Sequence, residues 1–157
     1  MELSLNLEEH GWLDIVVTTK ERQEIEISAS FLYDCLDDMA GKTAALAEGA
    51  VEAIATVQTE PGEYRFRFIR LDADRCRVQL FKMGDNFSSK AIKEGRRLLS
   101  EEMELLRLLR IVQREFTGLQ ALGGEEYKRR WSSDFPADKV ERISRAIKRI
   151  KKERIKF

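Results

Sequence analysis

Four arginines in two neighbouring predicted strands are the residues whose types and spacing best suit binding chemistry. Arg65 and Arg67 stand two positions apart in one strand, and Arg75 and Arg77 stand two apart in the next. Side chains two positions apart in a strand project from the same face of a sheet. If a three-residue loop joins the strands, the four guanidinium groups share one face. They would then form an anion-binding surface, suited to phosphate, RNA or an acidic protein.

Ion pairing within the sheet is the alternative role for these arginines. Like charges that face each other across two strands repel, so carboxylates are expected to lie between them. Acidic residues on adjoining strands, among them Glu24, Glu26 and Glu52, are available for this purpose. The sequence leaves open whether the arginines bind an external anion or neutralise these carboxylates.

An aromatic and basic cluster near the C-terminal third is a second candidate surface. Tyr127 and Trp131 are four positions apart in a predicted short helix, and Arg130 lies beside them. Tyrosine, tryptophan and arginine dominate the residues that carry binding energy at protein interfaces. The cluster therefore suits a partner surface, and the alternative is that Trp131 anchors the short helix onto the sheet.

Charge is sorted along the chain although the formal net charge is +0. Residues 1–60 carry 13 acidic and 3 basic side chains, a net charge of −10. Residues 139–157 carry 9 basic and 2 acidic side chains, a net charge of +7. Oppositely charged ends either face each other in the fold or leave one end for a partner.

The basic end contains the third set of candidate binding residues, Lys148, Lys151 and Lys152. They would suit RNA, DNA or an acidic protein, because lysines that contact phosphates release counterions on binding. Two alternatives stay open. The lysines form a solvated helix end at the negative pole of the helix dipole, or the helix lies across the acidic half, within the chain or across a dimer.

The sequence does not indicate a catalytic or metal centre. His10 is the only histidine, so a histidine-based triad or proton relay would depend on that residue. Cys35 and Cys76 lack the CxxC spacing of a zinc site, and no glycine-rich segment has the spacing of a phosphate-binding loop. We therefore expect no catalytic residues, no metal and no cofactor, with both cysteines reduced in the core.

Alternating apolar residues predict strands through most of the first hundred positions. The segments are Leu3–Leu7, Leu13–Val17, Ile25–Ile27, Val51–Glu60, Tyr64–Leu71 and Arg75–Lys82. Residues 60–63 are expected to form a type II turn with Pro61 and Gly62 at its centre. Residues 91–99 are predicted as an edge strand, although their pattern suits a helix as well.

Helical periodicity marks four further segments. The first runs from Phe31 to Glu48, with Ser30 as its N-cap. The second starts at Glu101, the third covers Glu125–Trp131, and the last follows Phe135-Pro136. A chain in which strands come first and helices last is typical of an α+β fold with a mainly antiparallel sheet.

These elements predict one α+β domain over residues 1–157. Its mostly antiparallel sheet would have five or six strands, packed by one central helix and by the C-terminal helices. Residues 151–157, where the apolar stripe of the last helix ends, are expected to form a frayed basic tail. The edge strand at 91–99 and the opposite charges of the two ends would also favour a homodimer.

Four short motifs occur in order along the chain: Gly11-Trp12, Glu60-Pro61-Gly62-Glu63-Tyr64-Arg65-Phe66-Arg67, Glu126-Tyr127-Lys128-Arg129-Arg130-Trp131 and Phe135-Pro136. Together they resemble a group of small bacterial proteins that carry no assigned function. The similarity spans roughly residues 11 to 145, and it implies a single-domain cytosolic α+β protein without catalytic residues to carry over. The resemblance also suggests a role beside toxin–immunity or other accessory systems.

The sequence therefore favours a non-enzymatic protein-interaction module, for which an immunity- or antitoxin-like inhibitor is one concrete form. The alternative is an RNA- or anion-binding accessory protein that uses the arginine-rich hairpin and the basic C-terminal helix. No apolar run approaches the ~20 residues that span a bilayer, and the first residues lack the pattern of a signal peptide. We accordingly expect a cytoplasmic protein with no membrane association.

Overall fold

Two antiparallel sheets form the fold, where the sequence predicted one sheet of five or six strands. The computed structural model describes residues 1–155. Within them, the elements are β1 (Glu2–Leu7), β2 (Trp12–Thr18), β3 (Glu24–Ser30), α1 (Cys35–Ala47), β4 (Glu52–Thr59), β5 (Gly62–Arg70), β6 (Arg75–Lys82), β7 (Arg96–Glu104), α2 (Leu105–Gln120), α3 (Gly124–Trp131) and α4 (Ala137–Ile155). The α+β class is confirmed.

The sheets are separate because the edges of β3 and β4 do not pair with each other. The first sheet has the order β1-β2-β3 and the second has the order β4-β5-β6-β7. At the edge of β4, the backbone N–H of Thr56 donates to the Asp38 carboxylate over 2.8 Å. Helix α1 therefore occupies a position on that edge that a neighbouring strand would need.

Alternation along the first sheet places its apolar side chains on the face that packs against the helices. Leu13, Ile15 and Val17 of β2 are completely buried. The other face carries the exposed side chains of Glu24 and Glu26. One face of this sheet is therefore wet and acidic, as the period-two pattern predicts.

Helix α1 begins four residues later than predicted. Its N-cap is Asp34, whose side chain accepts a hydrogen bond from the Asp37 N–H over 3.1 Å. Ser30, the expected cap, is instead the last residue of β3, where it pairs with Trp12. The cross-strand pairing extends β3 through Ser30, so the helix starts only after a turn.

The acidic segment before α2 belongs to a strand rather than to a helix. Strand β7 runs from Arg96 to Glu104, after a single 3₁₀ turn at Ile92–Glu94, and α2 starts only at Leu105. The prediction of a helix from Glu101 was therefore wrong, and the edge strand predicted at 91–99 begins and ends later. Cross-strand partners decide the outcome, because Glu104 lies opposite Arg75 in the ladder.

The two tight connections of the second sheet differ in how well the sequence predicted them. The connector of residues 72–74 joins β5 to β6 as expected, with Arg70 opposite Cys76. The β4–β5 turn is not type II, because the Glu60–Pro61 bond is cis and proline occupies the third position, as in type VI turns. Gly62 follows with φ +122°, and a Cβ there would lie 2.9 Å from Thr59 Oγ1.

The oppositely charged ends of the chain meet inside one molecule. Helix α4 packs along α1, where Lys139 Nζ lies 2.5 Å from the Asp37 carboxylate and Arg142 pairs with Glu48. The helix continues to Ile155, so residues 151–155 of the predicted frayed tail are helical, and residues 156–157 lie outside the described chain. No helix within residues 1–155 combines the length and apolar character needed to cross a membrane.

Candidate functional site

The four hairpin arginines share one face of the second sheet. Arg65 lies opposite Phe81, and Arg67 lies opposite Gln79 in the β5–β6 ladder. Directly paired residues project from the same face, and so do residues two positions apart. Arg75 and Arg77 therefore point to the same side as the two arginines of β5.

Carboxylates of the same sheet neutralise most of this arginine face. Arg67 Nε lies 2.6 Å from Glu52, and Arg77 lies 2.5 Å from Glu102. Arg75 is exposed and has no ion pair within the described residues. Of the acids expected to pair with these arginines, Glu52 does so, whereas Glu24 and Glu26 lie on the open face of the first sheet.

The fourth arginine belongs to a buried polar network at the β4–β5 turn. Arg65 Nε donates to Glu63 over 2.7 Å, and the Glu63 side chain is only 2% exposed. The second carboxylate oxygen of Glu63 accepts from Gln58 Nε2 over 2.7 Å and from the Ser88 N–H over 3.2 Å. A buried carboxylate is tolerated when its lone pairs are satisfied in this way.

The same network fastens the loop of residues 84–90 to the sheet. The Arg65 guanidinium donates to the carbonyl oxygens of Ser88, over 2.8 Å, and of Lys90, over 2.9 Å. The Asn86 side-chain amide donates to the carbonyls of Thr59 and Gly62, both over 2.7 Å. The Phe87 N–H also donates to the buried Gln58 side chain over 3.2 Å, so four residues of the loop are bonded to the sheet or its turn. The loop therefore holds a defined conformation.

Phe87 sits at the centre of this braced loop and points into solvent. It is 63% exposed, and its backbone has φ +47°. A non-glycine residue in the left-handed region costs roughly 1 kcal/mol and persists only where its surroundings hold it. The fold therefore maintains an exposed aromatic side chain in a strained position.

Phe87 borders a shallow, open cleft of about 450 Å³ on the outer face of the second sheet. Tyr33, 38% exposed, lines the same cleft from the segment that precedes α1. The floor includes Ile54 and Thr56 of β4, together with the Glu63 network. We call this feature the Tyr33–Phe87 cleft.

The charged side chains that line the cleft, Glu63 and Arg65, pair with each other. Burial, and then the neighbouring Asp38 carboxylate, raise the pKa of Tyr33 to about 12, so the phenol stays protonated at neutral pH. Glu60 and Asp85 are exposed and form no ion pair within residues 1–155. Exposed bases stand at the same end of the sheet, because Lys82 lies opposite Tyr64 and Arg96 lies opposite Lys82.

The aromatic cluster of α3 faces inward instead. Tyr127 is 1% exposed and Trp131 is completely buried, where its ring packs edge-on against Phe31 with centroids 5.0 Å apart. Trp131 Nε1 donates to Asp34 over 2.8 Å, and burial raises the pKa of Tyr127. These two side chains hold α3 in place and present no surface to a partner.

Arg130, the third member of that cluster, also takes part in internal contacts. Its Nε donates to Glu126 over 2.8 Å, and its Nη1 donates to the carbonyl oxygen of Leu7 over 3.0 Å. The guanidinium thereby joins α3 to the end of β1. The geometry of this cluster fits the alternative in which Trp131 anchors the short helix.

The lysines of α4 remain available at the surface. Lys148, Lys151 and Lys152 are exposed, and none has a salt-bridge partner in the described part of the chain. Ile155, one turn further on, is 84% exposed. The helix end is thus a basic surface with one apolar side chain in it.

The sequence reading missed the residues that build the cleft. The signal it contained was Phe87, a lone aromatic residue inside the polar loop of residues 84–90. Within residues 1–155, no three histidine, cysteine, aspartate or glutamate side chains are placed to hold a metal ion. No protein-family model, curated protein or solved structure matches this chain.

Proposed function

We propose that the protein is a non-enzymatic protein-interaction module that binds its partner through the Tyr33–Phe87 cleft. The observation that carries this proposal is an aromatic side chain, 63% exposed, on a loop that a buried polar network braces. An exposed phenylalanine gains roughly 2 kcal/mol when a partner buries it. Binding costs little conformational entropy in the loop, because Arg65 and Asn86 already hold it in place.

The composition of the cleft fits an interface centre. Two aromatic side chains, Tyr33 and Phe87, stand beside Ile54, and polar groups surround them. Binding energy at interfaces concentrates in such clusters, which a polar rim shields from water. An inhibitor that covers another protein, in the manner of an immunity protein or antitoxin, is one form that such a module takes.

Capture from the native lysate with matched variants tests this proposal. The bait would be the tagged chain, its Phe87→Ser variant, and Val51→Ser as a control, since Val51 is 74% exposed and is not among the residues that line the cleft. We expect one protein in stoichiometric amount with the wild type and the control, with or without nuclease. We expect its loss with Phe87→Ser. Capture that is equal for all three baits would contradict the proposal.

A second candidate function is binding of RNA or another anion by the outer face of α4. Lys148, Lys151 and Lys152 are exposed without carboxylate partners in the described chain, which favours this face over the largely neutralised hairpin. Phosphate contacts make binding fall steeply with salt. Nucleic acid that disappears from the eluate with nuclease, and that a Lys148→Glu/Lys152→Glu variant no longer retains, would favour this function instead.

A further inference from the structure

Strand β7 lies at the edge of the second sheet, with backbone groups that face outward. It pairs with β6 alone. The Leu105 N–H donates to the Asp74 carbonyl oxygen over 2.8 Å, and bonded and non-bonded pairs alternate along an antiparallel ladder. Ser100 and Glu102 therefore turn their N–H and C=O groups away from β6. These groups form no hydrogen bond to another segment within residues 1–155.

A cleft of about 630 Å³ follows this edge. Five consecutive residues of β7, 98–102, line it. Side chains alternate between the two faces of a sheet, so a cleft that touches five residues in a row runs along the backbone. The β2–β3 turn forms the opposite wall, and the Lys20 N–H of that turn donates to the Glu101 carboxylate over 2.8 Å. The edge and the turn together form a groove, which we call the β7 groove.

Two carboxylates that line the β7 groove are already neutralised. Glu102 lies 2.5 Å from the guanidinium of Arg77, which lines the groove as well. Glu101 lies 2.9 Å from the N-terminal ammonium group. These two pairs leave the charge of the groove to its remaining side chains.

The remaining charged side chains of the β7 groove are two cations and one acid. Lys20 and Arg75 line the groove without an ion pair within residues 1–155, and Glu21 is the acid. Arg97, one position before the groove on β7, is exposed and adds a further positive charge. Opposite charges across an interface favour the correct partner. The groove therefore suits a chain segment that carries an acidic side chain.

We infer that the β7 groove binds an extended segment of a partner protein, which adds a fifth strand to the second sheet. The segment bonds the outward backbone groups of Ser100 and Glu102, and one of its carboxylates pairs with Arg75. In strand addition, main-chain bonds give affinity and alternate side chains give specificity. Because the β2–β3 turn faces the edge, the groove has room for a single strand rather than for the sheet of a second copy.

The β7 groove is independent of the Tyr33–Phe87 cleft. That cleft is lined by residues of β4, the strand at the opposite edge of the same sheet. The inference therefore goes beyond the proposed function and names a second binding surface. A variant at Phe87 should leave binding in the groove unchanged.

Selection from a displayed library of random hexapeptides, with the full chain as bait, tests the inference. Ser100→Pro removes the outward N–H, and Ser100→Ala is its matched control, because both lose the hydroxyl that bonds Gln79 and only proline lacks the donor. We expect the selected peptides to contain aspartate or glutamate. They should bind Ser100→Pro about fivefold to tenfold more weakly than Ser100→Ala. Arg75→Gln, at an exposed side chain, should weaken them about tenfold and does not depend on the folding of the proline variant.

Hydrogen exchange at Ser100 and Glu102 locates the bound peptide. Both amides should exchange freely without peptide and about tenfold more slowly when a selected peptide occupies about nine-tenths of the protein. The inference is overturned if the library yields no binding peptide, if binding ignores both Ser100→Pro and Arg75→Gln, or if these two amides stay unprotected. Protection that rises with protein concentration alone also overturns it, since a second copy then occupies the edge. Each of these failures leaves capture of a protein through Phe87 as a separate result.

Discussion

The indole Nε1 of Trp131 donates a hydrogen bond to Asp34 Oδ1 over 2.8 Å. The same oxygen accepts the Asp37 N–H at the start of α1. One carboxylate therefore caps one helix and satisfies the buried donor of another, although 97 positions separate the two residues in the chain. Asp34 thereby joins the start of α1 to the end of α3.

Replacement of Asp34 by alanine should destabilise the protein by about 2–3 kcal/mol. Loss of an N-cap costs about 1 kcal/mol, and a buried indole N–H without an acceptor costs about 1–3 kcal/mol. Urea unfolding at neutral pH measures the change. Asp34→Asn keeps an acceptor oxygen and should cost less than half as much. Asp85→Ala, at an exposed loop position, should have an effect within about 0.5 kcal/mol. A cost for Asp34→Ala as small as that of Asp85→Ala would contradict the shared role of the carboxylate.

The Glu63–Arg65 pair makes a second prediction, on the braced loop. Glu63→Met leaves the partly buried Arg65 guanidinium without its carboxylate and should cost about 3 kcal/mol. The double variant Glu63→Met/Arg65→Met removes both charges and should cost less than the sum of the single variants. Equilibrium unfolding of the wild type, the two single variants and the double variant measures the coupling energy of the pair.

Hydrogen exchange reports the consequence of that pair for the loop. Arg65 bonds the carbonyls of Ser88 and Lys90, so amides in residues 84–90 should exchange faster in Arg65→Met than in the wild type. Arg67→Met is the control, because Arg67 pairs with Glu52 on the same face of the sheet and is not bonded to the loop. Equal acceleration in both variants would show that Arg65 is not the brace.

Local patterns account for the parts of the fold that the sequence predicted. Alternating apolar residues give the strands, as in Leu13, Ile15 and Val17, because burial of one sheet face imposes that period. The glycine break before Glu125–Trp131 and the proline at 136 mark the helices correctly. Helix propensity gave the wrong element where pairing between distant strands determines the structure. The acidic residues up to Glu104 resemble the start of a helix, but they lie opposite arginines of β6.

The candidate site was predictable only in part, for a similar reason. Sequence spacing placed the hairpin arginines on one face. It could not show that Arg65 donates its hydrogen bonds to a buried carboxylate and two loop carbonyls. The cleft combines residues 33, 54 and 87, and no periodicity connects such distant positions. Phe87 stands out only once the loop around it is seen to be fixed and the side chain to be exposed.

The pairing of Arg142 with Glu48 predicts how strongly the two charged ends hold each other. Both side chains are more than a third exposed, so solvent screens the attraction and the coupling energy should stay below about 1 kcal/mol. Arg142→Glu should destabilise the protein modestly, and the exchanged pair Glu48→Arg/Arg142→Glu should recover most of that loss. Thermal unfolding at low and high salt measures both effects, and a loss that is insensitive to salt would point to packing instead.

Acid should weaken the contacts of α3 in a defined pH window. Hydrogen bonds from Arg129 and Arg130 lower the pKa of Glu126 from 4.5 to about 2. A carboxyl group whose pKa is lower in the folded state stabilises the fold above its unfolded pKa and loses that contribution as protonation proceeds. This stabilisation is therefore complete above about pH 4.5 and should disappear as the pH falls towards 2.

Unfolding by urea between pH 7 and pH 2, at low and high salt, checks this dependence. Glu126→Gln should be less stable than the wild type at pH 7, and the two proteins should converge at the acid end. High salt should shrink the difference, because the Glu126 side chain is 34% exposed and solvent ions screen its ion pairs. Glu125→Gln is the matched control, since Glu125 is its neighbour in α3 and makes no salt bridge in the described chain. A difference between wild type and Glu126→Gln that stays constant down to pH 2 would show that the ion pairs with Arg129 and Arg130 are not its source.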